Sequence, residues 1–339
     1  MANTDDFSSP SSRRRVMRGG AALAAGIAAP GILRVGSALA AFPDRAVKIV
    51  VANSPGGPSD IIARLMAASL QQALGGSFIV ENKGGAGGNV GMGNVARADP
   101  DGYTLLITTS AYVVNPGLYN SLPYDPFKDF VAIVELASTP NVFAVKPALG
   151  VRTMKDLVAL AKANPDRFNV STPPVSTTPY LAVELLRVRE GLSNMATIVF
   201  TGGGEALQAL LGNTVQLSVG ALAPAHPHLK SGAIVALATT GGTRWHDLPA
   251  IPTMAEAGFK DFVLETYLGF MAPALAPPEI VARLERETLA ILSRPDIRNK
   301  LVQSGFQVEA KDGKAHMARI AAEVPMYREI ITRAGIKKL

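Results

Sequence analysis

A buried-type strand pattern, Val47-Lys48-Ile49-Val50-Val51, runs into Pro55-Gly56-Gly57-Pro58-Ser59-Asp60 and then into an apolar pattern of helical period over 61–74. A strand, a glycine turn and a helix in that order form the unit of an α/β sheet, and they aim the helix's amino end at whatever lies above the strand. The first N–H groups of a helix have no intrahelical partner, so such an end favours anions. Gly56 and Gly57 carry no Cβ, which suits a turn or a close backbone approach to a ligand. Pro58 fits the first helical turn, where its missing N–H costs nothing. Asp60 can pair with Arg64 one turn on, which stabilises the helix start.

The pattern recurs. Strand-like runs at 78–80, 103–108, 168–171, 197–200, 215–219 and 234–238 alternate with helical runs at 89–98, 154–163, 179–189 and 205–211. Helices are expected over 278–293, 295–304 and 313–334, and extended chain over 130–137, 141–145 and 262–272. Residues 115–126, with Asn115-Pro116 and Leu122-Pro123-Tyr124-Asp125-Pro126, read as a loop. The expected fold class is α/β, arranged as two lobes with a cleft and a hinge. Residues 41–140 with 268–339 would form one lobe and 141–267 the other, hinged on two crossover segments near Ser138 and Leu264. A cleft between hinged lobes suits capture by closure.

The 339 residues suffice for two domains, and 48% hydrophobic residues with a mean hydropathy of +0.21 supply a large core. The first forty residues are expected to lie outside it. Ser12-Arg13-Arg14-Arg15-Val16-Met17-Arg18 matches the twin-arginine export pattern, an apolar small-residue stretch follows over 19–33, and Ala38-Leu39-Ala40 is an A-x-A cleavage site. That stretch is short and rich in Gly and Ala for a membrane span. Export to the periplasm with cleavage after Ala40 is the expectation. Removing residues 1–40 takes away five Arg and two Asp and lowers the net charge from +6 to +3. No polybasic run remains, so nucleic acid is not an expected partner. A mild positive charge attracts anionic solutes. The absence of cysteine rules out disulfides and thiol catalysis.

Candidate ligand-binding residues cluster at strand-to-helix loops: Ser54, Pro55, Gly56, Gly57, Pro58, Ser59 and Asp60; Thr109 and Ser110 at the end of a strand, where α/β sheets bind ligands; Ser171, Thr172, Val175, Ser176, Thr177 and Thr178 before a helix; Thr201, Gly202 and Gly203 before another; and Gly220. Tyr267, in the second crossover segment, could face the cleft or pack in the core. The loop Gly84-Gly85-Ala86-Gly87-Gly88 fails the nucleotide-loop spacing, because position 90 is Val and no Gly-Lys-Ser/Thr ending follows; it reads chiefly as a tight strand-to-helix turn. There is no G-x-S-x-G elbow and no H-E-x-x-H. His226 and His228 lie in a Pro-broken stretch without visible metal partners and read as loop or surface residues. No metal or cofactor is expected.

A set of longer motifs resembles the Bug receptors, the periplasmic substrate-binding proteins of tripartite tricarboxylate transporters. They are Pro55-Gly56-Gly57-x-x-Asp60, Glu81-Asn82-x-x-Gly85-Ala86-Gly87-Gly88, Asp101-Gly102-Tyr103-Thr104-Leu105-Leu106, Asn115-Pro116-x-Leu118-Tyr119, Leu122-Pro123-Tyr124-Asp125-Pro126-x-Lys128-Asp129-Phe130, Leu248-Pro249-x-Ile251-Pro252-Thr253-x-x-Glu256-x-Gly258 and Ala334-Gly335-Ile336-Lys337. The resemblance implies a two-lobed periplasmic binding protein fold (Venus flytrap, type II-like) and a monomeric, exported receptor that holds a small organic acid by loops at helix starts, through backbone N–H groups and water, and passes it to permease subunits or a sensor. The sequence departs from the family pattern in the second lobe, at Ser171-Thr172-Pro173-Pro174-Val175-Ser176-Thr177-Thr178-Pro179-Tyr180, at Phe200-Thr201-Gly202 and at Val219-Gly220-Ala221. These changes imply a less polar, stiffer distal pocket and a ligand with one carboxylate on an apolar body, aromatic bodies included. The alternative is a periplasmic enzyme acting on a carboxylate in the same cleft, which would need a base–nucleophile pair.

Overall fold

A computed structural model describes residues 42–164, 168–260, 262–333 and 335–339. The export signal and its cleavage site lie outside the described residues. Among the described residues ten strands form one sheet, eight of them on the path β2 (Phe78–Asn82), β1 (Val47–Val51), β3 (Thr104–Thr109), β9 (Glu265–Pro273), β4 (Phe130–Val145), β7 (Leu217–Ala221), β5 (Asn169–Thr172), β6 (Ala196–Val199), with β8 (Val235–Thr239) and β10 (Gln307–Asp312) also on β4. The parallel trio β1 (Val47–Val51), β2 (Phe78–Asn82) and β3 (Thr104–Thr109) heads the chain. A second parallel trio, β5 (Asn169–Thr172), β6 (Ala196–Val199) and β7 (Leu217–Ala221), lies at the other end of the path. Parallel strands need crossovers, and helices supply them: α1 (Pro58–Leu74) and α2 (Asn89–Ala96) in the first half, α5 (Thr178–Glu190) and α6 (Gly203–Leu211) in the second.

The two halves share β4 (Phe130–Val145), a single strand of sixteen residues. Its first part, through Pro140, pairs antiparallel with β9 (Glu265–Pro273), and residues 134–138 also pair with β10 (Gln307–Asp312). From Asn141 it pairs instead with β7 and β8 (Val235–Thr239). The two runs read as separate from the sequence are thus one element, and Pro140 stands inside it. β9 brings the chain back to the first half by pairing with β3, and α8 (Pro278–Ser293), α9 (Pro295–Gln303) and α10 (Gly313–Arg333) pack there. The outcome is a two-lobed α/β molecule.

Local chemistry explains the boundaries. Pro58 opens α1, and Gly75, at φ 74°, closes it as the residue type tolerated in that region. α4 (Met154–Ala163) starts on a reciprocal capping box between Thr153 and Asp156. Three elements correct the sequence reading. α3 (Ala111–Leu118) occupies part of the expected loop, with Pro116 inside it. α7 (Leu222–Lys230) crosses the stretch read as Pro-broken, with Pro227 inside it, and carries His226 in a buried position at 3.0 Å from Asp247. β10 is a polar strand that pairs only with β4.

The core lies on both faces of the sheet. Val47, Ile49, Ile107, Leu268 and Phe270 pack under α1, α8 and α9. Tyr112, Phe130, Phe143, Val170 and Leu217 belong to a larger cluster that continues from one half into the other. Among the described residues no helix is long and apolar enough to cross a membrane.

Candidate ligand site at five helix amino ends

Five helices start at one cavity. Gly57, Pro58 and Ser59 come from the start of α1, Ser110 and Ala111 from α3, Thr177, Thr178 and Pro179 from α5, Gly202 and Gly203 from α6, and Ala221 from the residue that precedes α7. Two of these ends belong to the first lobe and three to the second. Each end carries roughly half a positive charge; its N–H groups have no intrahelical partner, although Pro58, Pro179 and Pro224 have none to offer and those of Ala111 and Ala223 are bonded to Thr109 Oγ1 and Thr139 Oγ1. The remaining wall is Asn53, Ser54, Thr109, Pro173, Pro174 and Thr266. None of the lining residues is ionisable. The cavity is therefore electropositive through its backbone, and its volume is about 40 Å³.

Most side-chain hydroxyls around it are already committed. Ser110 Oγ donates to the Glu265 carbonyl at 3.1 Å and accepts from Tyr267 N at 3.0 Å, which ties the start of α3 to β9. Thr177 Oγ1 donates to the Pro174 carbonyl at 2.7 Å. Thr178 and Thr266 hydroxyls meet at 2.8 Å, and Thr266 donates to Asn141 Oδ1 at 3.0 Å. Asn141 Nδ2 donates to the Leu264 carbonyl at 2.7 Å, so the point where β4 changes lobes is bonded to the start of α5. Thr109 Oγ1 accepts from Ala111 N at 3.3 Å. Ser59 Oγ donates to Asn53 Oδ1 at 3.1 Å. These hydroxyls set the loops; the helix-end N–H groups that they leave unbonded are the anion's donors.

Asp60 does not line the cavity. Its carboxylate accepts from Gly56 N at 3.0 Å and from both Nε and Nη2 of Arg64. Burial works against its ionisation, but the Arg64 hydrogen bonds and the Gly56 N–H outweigh it and hold the carboxyl below its ordinary range. Asp60 thus fixes the glycine turn from behind.

The lobes touch across the cavity mouth. Ser54 Oγ donates to the Thr201 carbonyl at 3.0 Å. Ser176 Oγ donates to the Gly87 carbonyl at 3.1 Å. Glycines stand at these contacts. A Cβ at Gly202 would come within 2.9 Å of Ser54 Cβ, and one at Gly305 within 2.8 Å of Ala223 Cα. One at Gly87 would overlap Ser176 Oγ.

The structure brings together ten of the residues expected from sequence: Ser54, Gly57, Pro58, Ser59, Thr109, Ser110, Thr177, Thr178, Gly202 and Gly203. The others stand elsewhere. Pro55 and Gly56 face an outer groove. Ser171 is buried and donates to the Ala206 carbonyl, Thr172 is buried beside it, Val175 packs on the core, and Ser176 bridges to Gly87. Thr201 lies in an adjoining chamber, and Gly220 is one residue from the wall. Tyr267 is a correction: its ring is fully buried against His316 and Arg319 in the first lobe, away from the cavity. Sequence reasoning missed Asn53, Ala111 and Thr266, and named Pro173, Pro174, Pro179 and Ala221 only as departures from the family pattern around the distal pocket. Asn53 lies two residues past the end of β1 and Ala111 two past the end of β3, so a strand-end rule would have found both. Thr266 arrives from a distant strand and had no local signal.

The chain is similar to known proteins over most of its length. Residues 62–336 match the family model for the tripartite tricarboxylate transporter family receptor. BugT of Bordetella pertussis is 32% identical over 92% of this chain and 94% of its own length. The solved structure of the periplasmic binding protein BugD superposes with a TM-score of 0.84 at 32% identity, covering 88% of this chain and all of BugD. An R. palustris protein solved with adipate gives a TM-score of 0.84 at 30% identity, with 88% of this chain and 100% of that one covered.

Proposed function

We propose, since this chain belongs to the tripartite tricarboxylate transporter receptor family, that it is a periplasmic solute receptor that closes two lobes on a small organic carboxylate and delivers it to membrane transport subunits or to a sensor. The observation that carries this reading is the convergence of five helix amino ends on one cavity without an ionisable side chain. A carboxylate there receives charge-assisted N–H bonds, each worth about 1.5–3 kcal/mol when well formed. The first lobe contributes α1 and α3, and closure adds α5, α6 and α7. The crossing strands β4 and β9, near Asn141 and Thr266, are the hinge. The adipate-bound relative has an acid with an apolar middle, which suits the Pro173, Pro174 and Ala221 walls.

The same lining argues against chemistry on the ligand. It includes no His, Asp, Glu, Lys or Tyr to move a proton, and its hydroxyls are bonded to backbone or to one another. Among the described residues no group of His, Asp and Glu is arranged to hold a metal.

Thermal unfolding across mono-, di-, tri- and aromatic carboxylates tests the reading, on protein first unfolded and refolded to remove carried ligand. A ligand at about a hundred times its dissociation constant adds roughly 2.7 kcal/mol of stability. A shift for one class supports the receptor reading and identifies the acid. No shift with any carboxylate overturns it.

A further inference from the structure

We propose that the helix-end cavity is only the head of the ligand site, and that the ligand's body runs into a second chamber under the glycine loop at residues 84–88. This rests on the receptor reading and adds to it the shape of the acid.

Size is the first observation. The head cavity measures about 40 Å³, against about 300–1,000 Å³ for pockets that enclose a whole small ligand. It accommodates a carboxylate, and the remainder of any larger acid must leave it. The adjoining chamber measures about 190 Å³ and shares Asn53 and Pro174 with the head as a common wall. The outer groove, though larger, shares no residue with the head and lies past the close approach of Gly56 to Gly204. Continuity therefore points the ligand toward the glycine loop.

The walls define the body. The chamber is formed by Ala52, residues 84–88 and, from the other lobe, Pro174 and Thr201, with no ionisable group. Gly85, Gly87 and Gly88 take positive φ, so bare backbone forms the surface and little side chain intrudes. The Gly87 carbonyl is held by Asn115 Nδ2 from its own lobe and by Ser176 Oγ from the other, each at 3.1 Å. The chamber is complete only when the lobes meet. Its occupant is narrow and uncharged: an unbranched or flat acid body, with any second carboxylate beyond the head served by backbone and water.

Calorimetric titration of the purified protein with propionate, hexanoate and adipate tests the proposal. Each methylene newly buried is worth about fourfold in affinity, so hexanoate binds at least tenfold more tightly than propionate. Ala86 already holds a left-handed backbone with a side chain, so Ala86→Leu adds bulk at the chamber without a new backbone demand. That variant lowers the hexanoate-to-propionate affinity ratio about tenfold while its melting temperature without ligand stays at the wild-type value. Equal affinity for propionate and hexanoate in the wild type overturns the chamber proposal, as does an unchanged ratio in a folded Ala86→Leu. If none of the three acids binds but branched tricarboxylic acids do, the chamber proposal fails and the receptor reading stands. If no carboxylate binds, the receptor reading fails with it.

Discussion

Gly202 offers a way to separate closure from folding. It precedes α6 with φ −165° and ψ 166°, an extended conformation open to any L-residue, so Gly202→Ala imposes no backbone strain. The added methyl would sit 2.9 Å from Ser54 Cβ on the opposite lobe, whereas carbon atoms rest about 3.5–4.0 Å apart. The mouth must then open by about 0.6–1 Å. That displacement stretches the 3.0 Å bond from Ser54 Oγ to the Thr201 carbonyl out of range, a loss of about 0.5–1.5 kcal/mol. It also forfeits a quarter to a half of the dispersion energy of the atoms that touched there. Together the closed form loses about 1–3 kcal/mol, or roughly 5- to 150-fold in the affinity of any ligand held by closure. The open form loses nothing, so the ligand-free melting temperature stays within the scatter of surface substitutions, about 0.5 kcal/mol. Calorimetry with the best acid from the panel, alongside thermal melts, reads both quantities. Ser54→Gly removes the atom that the new methyl would strike, and the double variant should recover the affinity lost on Gly202→Ala beyond the effect of Ser54→Gly alone. Unchanged affinity in Gly202→Ala, or additivity in the double variant, would refute the argument.

Four other outcomes follow from the geometry. Ser176→Ala removes one interlobe bond and should weaken ligand binding about two- to tenfold in titration calorimetry, with little change in the ligand-free melt. Asp60→Asn should cost about 1 kcal/mol in urea unfolding at neutral pH and weaken ligand binding through the loosened glycine turn; because the folded carboxyl titrates below its ordinary value, its contribution is present above pH 4 and fades as pH falls through the folded value, so the variant's deficit should shrink in acid. His316 is buried on α10 and kept neutral by burial and then by the Arg319 and Lys311 cations, which pull it down to about 3. The unfolded chain takes up that proton first as pH falls from its ordinary value of about 6.5, so stability declines over that window by up to about 5 kcal/mol, and His316→Leu should flatten the acid limb of a pH–stability curve. Arg319→Leu strips a partner from the fully buried Glu135 and should destabilise by about 3–5 kcal/mol in denaturant unfolding.

The parts of this architecture legible in the sequence were those whose cause is local. β1 with α1 announces itself by an aliphatic run followed by Gly, Pro and hydroxyl residues, and β5 with α5 by the Ser, Thr and Pro loop between them. α3 and α7 were hidden because Pro116 and Pro227 read as breakers. Packing holds α3 in place: a Cβ on Gly117 would come within 2.9 Å of the Arg328 backbone on α10. β10, with Glu309 and Lys311, has too little alternation to read as a strand; its partner on β4 and the Ser138–Glu309 bond make it one. At the site the same divide applies. Loops at helix starts were found from composition. Which hydroxyl faces the ligand and which is bonded to backbone, as with Ser110 and Ser171, depends on residues more than thirty positions away. Tyr267 was misplaced because a strand has two faces and its local sequence does not say which one meets Arg319.

The sixteen-residue β4 has a further consequence for how this molecule comes apart. Neither lobe owns that strand, and the first lobe is not a continuous stretch of chain, since β9 returns to it after the second is complete. Melting one half would strip the ladder partners from the beam on which the other is built. The two lobes are therefore expected to share one cooperative transition, and a cut between them leaves the first lobe in two fragments that must find each other before it can fold.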